Sequence, residues 1–213
     1  MTDYNLRLDE FELDAFGETA NIGFSHAATA LSQMMGQRIG VSIPQVALRT
    51  ADALPDSIAA EHEPVASAVM EVLGDVTGHI LFVQSHDDAI RLADVLLGLQ
   101  PGTTTEFGGM AESCFREVSN ILGATYLNAL ASFLGVSLLP SVPFVALGSR
   151  ASVLATETGA VGGEGLVLSA ETALRVGSSV ESLVGYMLFF PSRASIDTML
   201  AILMAQLQVE PSR

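Results

Sequence analysis

The sequence predicts an α+β fold: a duplicated module with pseudo-two-fold symmetry, an antiparallel sheet and two long exposed helices. Three observations predict it. First, FGETANIG (16–23) returns as FREVSNIL (115–122), with Phe, Glu, Asn and Ile in the same order and at the same spacing. Second, the match continues downstream. ALSQMMG (30–36) aligns with ALASFLG (129–135), SIPQV (42–46) with SVPFV (141–145), and GHILFV (78–83) with GYMLFF (185–190). Third, each copy alternates one long segment of helical period with short strand-like runs, a pattern that segregates helices from an antiparallel sheet. The later offset is larger than the first, which places an insertion in the second copy at GAVGGEG (159–165). A period this long is too great for a solenoid unit and suggests two fused copies of one module.

The elements follow in order. Residues 9–36 carry helical apolar periodicity and stop at Gly36, a residue suited to the position after a helix. VSIPQVALR (41–49) reads as a strand whose Pro44 favours an edge or a bulge. Residues 65–74 and 77–84 form a hairpin. Ser85, followed by Asp87 and Asp88, starts a helix that Gly98 closes. A Gly/Thr-rich linker, 100–108, leads into the second repeat. There the expected elements are a helix near 106–135, strands near 137–147, 151–157, 164–175 and 178–190, and a helix over 193–208. Residues 1–213 thus form a single domain of two repeats, 9–99 and 109–208.

Composition narrows the function. The formal net charge is −15, and all nine cations are Arg, with no Lys. An acidic surface of this kind repels phosphodiester backbones and anionic lipid, so neither nucleic acid nor membrane is an expected partner. The acidic, Lys-free balance suits a salt-loving cell or a genome rich in Arg codons. Mean hydropathy is positive, yet the longest apolar runs, GYMLFF and MLAILMAQL, fall far short of the ~20 residues that span a bilayer. The N-terminus has no signal-peptide pattern. A single cysteine rules out an intrachain disulfide framework, and the cytoplasm is the expected location.

The recurring polar pair is the feature that needs an explanation. With Glu18 at the origin of a helical wheel, Leu13, Phe16, Ala20, Ala27, Leu31 and Met34 cluster on the opposite side. Asn21 lies roughly 60° from Glu18, so the two project together. In the second helix Phe115, Tyr126, Leu130 and Phe133 form the buried stripe, and Glu117 and Asn120 take the outer position. Ile22 and Ile121 sit about 40° from their glutamates, and Phe11 and Met110 lie two turns upstream on the same side. Neighbouring outer positions differ between copies: Gly17 against Arg116, Thr19 against Val118. Asn is a mediocre helix former with no local reason to stand mid-helix twice.

E-x-x-N-I on two long helices, followed in the first by AATALSQMMG (27–36), resembles the CheC family of chemotaxis phosphatases. The likeness extends over roughly residues 8–205. It implies hydrolysis of the aspartyl phosphate on a CheY-type response regulator. Asn21 and Asn120 would orient the attacking water, and Glu18 and Glu117 would hold the partner's active site through its Lys. Phe11, Ile22, Met110 and Ile121 would supply apolar docking area. The implied partner is the phosphorylated receiver domain, with Mg2+ on that substrate and no cofactor of the protein's own. A CheD-like receptor deamidase is a second implied partner. The acidic residue the family carries after its S-x-P strand is missing from SVPFVALGSRAS (141–152), which argues against that partner. Two alternatives stay open: a non-catalytic adaptor that binds phospho-CheY or such a deamidase, and a switch component in the manner of FliY.

Other candidates are weaker. His26, His62, His79 and His86 show no metal-binding spacing, so no metal site is expected. Cys114 precedes Glu117 by one turn, with no His near it in sequence, and reads as a small packing residue. GAVGGEG lacks the context of a phosphate loop. Met34, Met35 and the methionines of 199–204 read as helical core.

Overall fold

In the computed structural model the described residues are 10–36, 38–42, 46–50, 63–160, 166–176 and 182–208. His62 and residues 161–165 of the Gly-rich loop lie outside them, as do the side chains of Phe11, Leu13 and Phe16. The order along the chain is α1 (Glu10–Met35), β1 (Ile39–Ser42), β2 (Val46–Thr50), β3 (Pro64–Gly74), β4 (Gly78–Ser85) and α2 (His86–Leu97). It continues with α3 (Met110–Leu134), β5 (Leu138–Pro140), β6 (Phe144–Ser149), α4 (Arg150–Ala160), β7 (Leu166–Val176), β8 (Leu183–Pro191) and α5 (Arg193–Gln208).

Local signals explain most of these boundaries. The Ser85 hydroxyl accepts the Asp88 N–H at 3.1 Å and so caps α2, whose first turn carries Asp87 and Asp88 against the helix dipole. Gly98, at φ +65°, ends it in the left-handed conformation. Three expectations are corrected. The single strand over 41–49 is two strands, β1 and β2, on either side of Pro44, and the run over 137–147 divides likewise into β5 and β6. Helix α3 begins at Met110, not near 106. The strand expected at 151–157 is helix α4. Ser149 starts that helix, its Oγ accepting the Ser152 N–H at 3.2 Å, and Val153 and Leu154 pack on the sheet from it.

All pairings in the eight-stranded sheet are antiparallel, in the order β1-β7-β8-β4-β3-β5, with β2 also on β7 and β6 also on β3. The edge strands are exchanged between the halves of the chain. β1 and β2, from the N-terminal half, hydrogen-bond to β7 of the C-terminal half, and β5 and β6 hydrogen-bond to β3. The two halves meet where β4 pairs with β8, Phe82 standing opposite Met187. Neither half completes a sheet alone.

Strand alternation gives the sheet two buried faces. Met70, Ile80, Phe82, Ala170, Met187 and Phe189 point to one face and pack under α1, α2, α3 and α5. Val65, Leu81, Val83, Tyr186, Leu188 and Phe190 point to the other, where α4 contributes Val153 and Leu154. The rings of Phe82 and Phe115 stack at 5.4 Å between centroids and tie α3 to the centre of the sheet.

The connection from α2 to α3 is pinned at Asp94. This buried carboxylate accepts the N–H of Gly102 at 2.7 Å and of Thr103 at 3.2 Å on one oxygen, and that of Thr104 at 2.8 Å on the other. The Thr104 hydroxyl, together with these amides, outweighs desolvation and holds the Asp94 carboxyl below its ordinary pKa. Because the folded value is depressed, the stabilisation is complete above the ordinary carboxylate range and is lost as pH falls through the folded value. Asp94→Ala is therefore expected to lower the urea midpoint at neutral pH with little change in m-value. Its gap from the wild type should close on acidification; a pH-independent gap would contradict the assignment.

Candidate functional site

Helices α1 and α3 lie side by side over the sheet and are in close contact at Gly23. A Cβ on Gly23 would stand 2.9 Å from the Thr125 carbonyl oxygen and 3.0 Å from the Tyr126 Cα, so only glycine permits this approach. Phe24 follows directly, its ring 5.7 Å from that of Tyr126. On α1 the sheet and α3 together bury Thr19, Ala20, Phe24, Ala27 and Leu31. On α3 the buried arc includes Phe115, Val118, Leu122, Tyr126 and Leu130.

What remains outward on both helices is the recurring polar pair. Glu18 and Asn21 are exposed on α1, and Glu117 and Asn120 are exposed on α3. Three residues apart, each pair is separated by about 4.5 Å along its helix axis, within reach of a single small pocket on a partner. Among the described residues no side-chain hydrogen bond or ion pair occupies any of the four. Arg116, next to Glu117 in sequence, is instead paired with Glu112 one turn back. Both amides and both carboxylates are thus presented to solvent on stiff supports.

The apolar neighbours divide. Ile22 is 52% exposed and Met110 is 64% exposed, as docking residues require. Ile121 is only half-exposed and packs against the core, so it contributes less free surface than Ile22. Phe11 lies in α1, with its side chain outside the described residues. Two other expectations change. Thr19 and Val118 are buried and are not outer positions, because each helix faces both the sheet and the other helix and so buries a wider arc than one stripe. Met34, expected in the core, is exposed. Met35 and Met199 do pack with the core.

Cys114 is half-buried, and desolvation raises its pKa, the reverse of what a nucleophilic thiolate needs. Among the described residues no cluster of His, Cys, Asp or Glu is placed to hold a metal ion. No described helix is long and apolar enough to cross a membrane. Sequence reasoning passed over Gly23, whose signal was a glycine inside a strongly helical pattern, and Arg38 at the end of the α1 face.

Residues 11–47 match the model of the CheC-like family. The CheY-P phosphatase CheC of Bacillus subtilis (strain 168) is 30% identical over 205 residues, covering 94% of this chain and 97% of that protein. The chain belongs to the CheC-like family. The flagellar motor switch phosphatase FliY of the same organism is 30% identical over 114 residues, 53% of this chain and 29% of FliY. Among solved structures, Thermotoga maritima FliY superposes with a TM-score of 0.73 at 21% identity, covering 93% of this chain and 98% of that one. The FliM middle domain of Helicobacter pylori gives 0.65 at 15% identity, covering 92% and 99%. At these identities the structures show a shared α+β fold.

The contact at Gly23 can be tested against a nearby control. Gly23→Ala is expected to destabilise the protein by about 1–3 kcal/mol through overpacking of α1 on α3. Gly17→Ala, whose Cβ would meet nothing within 4 Å, should be neutral or stabilising by up to about 1 kcal/mol. Urea denaturation compares the two; equal effects would show that the helices are not in close contact at Gly23.

Proposed function

We propose that this protein is a phosphatase for the aspartyl phosphate of a CheY-type response regulator, with one centre on each of two repeats, 9–99 and 109–208. The observation that carries this reading is the exposure of the same Glu–Asn pair on both long helices of a CheC-like chain. A relative that matches over nearly the full length of both chains is named a CheY-P phosphatase.

The chemistry asks little of such a protein. An aspartyl phosphate is an activated acyl phosphate, and Mg2+ and a Lys on the response regulator stabilise charge on the phosphoryl oxygens. The missing part is a water molecule held in line, and positioning is a large share of phosphoryl-transfer catalysis. The side-chain amide of Asn21 or Asn120 accepts a hydrogen bond from that water through Oδ1 and can donate through Nδ2. Neither can act as a general base, so the work is alignment. Glu18 and Glu117 pair with the partner's Lys and fix the register of docking, with Ile22 and Met110 covering apolar surface beside them. No metal or cofactor of the protein's own enters the scheme.

An adaptor reading has one observation in its favour. Val142 is 82% exposed and Phe144 is 72% exposed, close to exposed Leu139 and Leu147 at the β5–β6 edge, an apolar patch of the kind that marks a protein contact. Stable co-elution with the phosphorylated regulator, without faster loss of phosphate, would favour the adaptor.

Purified protein is expected to shorten the lifetime of the phosphorylated receiver. Replacing both Asn21 and Asn120 with Ala should lower kcat/KM by roughly a hundredfold or more, with the circular dichroism spectrum unchanged. Full activity in the double variant would rule out the mechanism.

A further inference from the structure

Aspartate and glutamate are spread along the chain except in two places. None occurs between Glu18 and Asp52, and none between Glu117 and Glu157. Each gap opens at a motif glutamate and runs through the rest of its helix and two short strands. The first takes in α1, β1 and β2; the second takes in α3, β5 and β6. On a chain of net charge −15, both motif faces therefore continue into surface that carries no carboxylate of their own segment.

The two surfaces end differently. On α1, Ser25 and Thr29 continue the line of Glu18, each within roughly 20° of it on the wheel. Their hydroxyls donate back to the carbonyls of Asn21 and Ser25 at 2.8 and 3.1 Å, leaving a polar, uncharged strip with oxygen lone pairs outward. The strip runs into a groove of about 520 Å3 where α1 gives way to β1, lined by Thr29, Ser32, Gln33, Gly36 and Arg38. Arg38 is exposed, and among the described residues no carboxylate is paired with it. In the second half the aligned position is Ser137. Its N–H donates to Asp75 Oδ2 at 2.8 Å, and Asp75 is exposed. One lane ends at a cation, the other at an anion.

We infer that the first centre docks its partner along α1, with Arg38 holding an acidic element of that partner in the groove, and that the second centre has no such anchor. This rests on the phosphatase reading, which supplies the partner's chemistry. A receiver domain presents, around its aspartyl phosphate, a phosphate group and the carboxylates that hold Mg2+, an anionic face. From Asn21 to the end of α1 is about 21 Å. A domain of about 100 residues has a radius of gyration near 13 Å, so one docked partner covers both the amide and the groove. On a chain of net charge −15, a local cation on an acid-free strip selects the orientation in which an acidic element meets least repulsion. The planar fork of Arg suits a carboxylate in two-point contact.

The test uses full-length proteins with one centre disabled. Glu117→Arg/Asn120→Ala leaves the first centre, and Glu18→Arg/Asn21→Ala leaves the second. In the protein that keeps the first centre, Arg38→Glu at low ionic strength should raise KM for the phosphorylated receiver by about tenfold, with kcat within about twofold. It should raise Kd for the beryllofluoride-loaded receiver by a similar factor, and Arg38→Lys should retain most of the affinity. In the protein that keeps the second centre, Arg38→Glu should change neither. The loss should shrink as salt shortens the Debye length from about 10 Å at 0.1 M. An equal effect in both proteins, no effect in either, or no binding of the loaded receiver to the unmodified protein would overturn the inference. Binding that depends on Arg38 without phosphate release would uphold the docking lane while sinking the phosphatase reading.

Discussion

The contact between α1 and α3 is the constraint on which the rest of the molecule depends. Gly23 lets the two helices approach until backbone nearly meets backbone, and Phe24 and Tyr126 fill the space beside them. The sheet lies beneath each helix and the second helix alongside it. The arc left outward carries Glu18 and Asn21 on α1 and Glu117 and Asn120 on α3. Their exposure follows from what is buried around them.

The sheet makes that arrangement stiff. Because β1 and β2 complete the C-terminal half and β5 and β6 complete the N-terminal half, separating the halves would break two sets of edge pairings and the central β4–β8 ladder together. The connection from α2 to α3 is also fixed, through the amides gathered by Asp94. The spacing between the two motif faces is thus a property of the whole fold and not of a tether. A site that works by aligning a water molecule needs such a support, since alignment is lost when the frame yields by even an ångström.

The long helices and the polar pairs were legible in the sequence because their information is local: a 3.6-residue period, a Ser85 cap, glycines at the ends, and a repeat that could be counted. The strand exchange was not legible, since the identity of a strand's partner is a long-range property that no local pattern encodes. Helix α4 was misread because ASVLAT is a short apolar run, equally compatible with either period, and the deciding feature is the Ser149 hydroxyl at its start. The helical wheel placed Ala20, Ala27, Leu31 and Phe115 correctly. It erred at Thr19 and Val118, where a neighbouring helix sets the direction of burial, and at Met34, which is exposed. Ile121, expected on the outer face, is partly buried and packs against the core.

Charge acts on a different scale from packing. The net charge is −15, and the stretch downstream of each motif is free of carboxylates. The central claim is that the outward faces of α1 and α3 receive the phosphorylated site of a receiver domain. The most direct test is an NMR titration of the isotope-labelled protein with beryllofluoride-loaded receiver, following the side-chain amide signals of Asn21 and Asn120. Shifts at one or both of these amides, spreading to Ile22 and Met110, are the predicted result. Perturbations confined to the β5–β6 edge, with both Asn side chains unmoved at saturation, would contradict it.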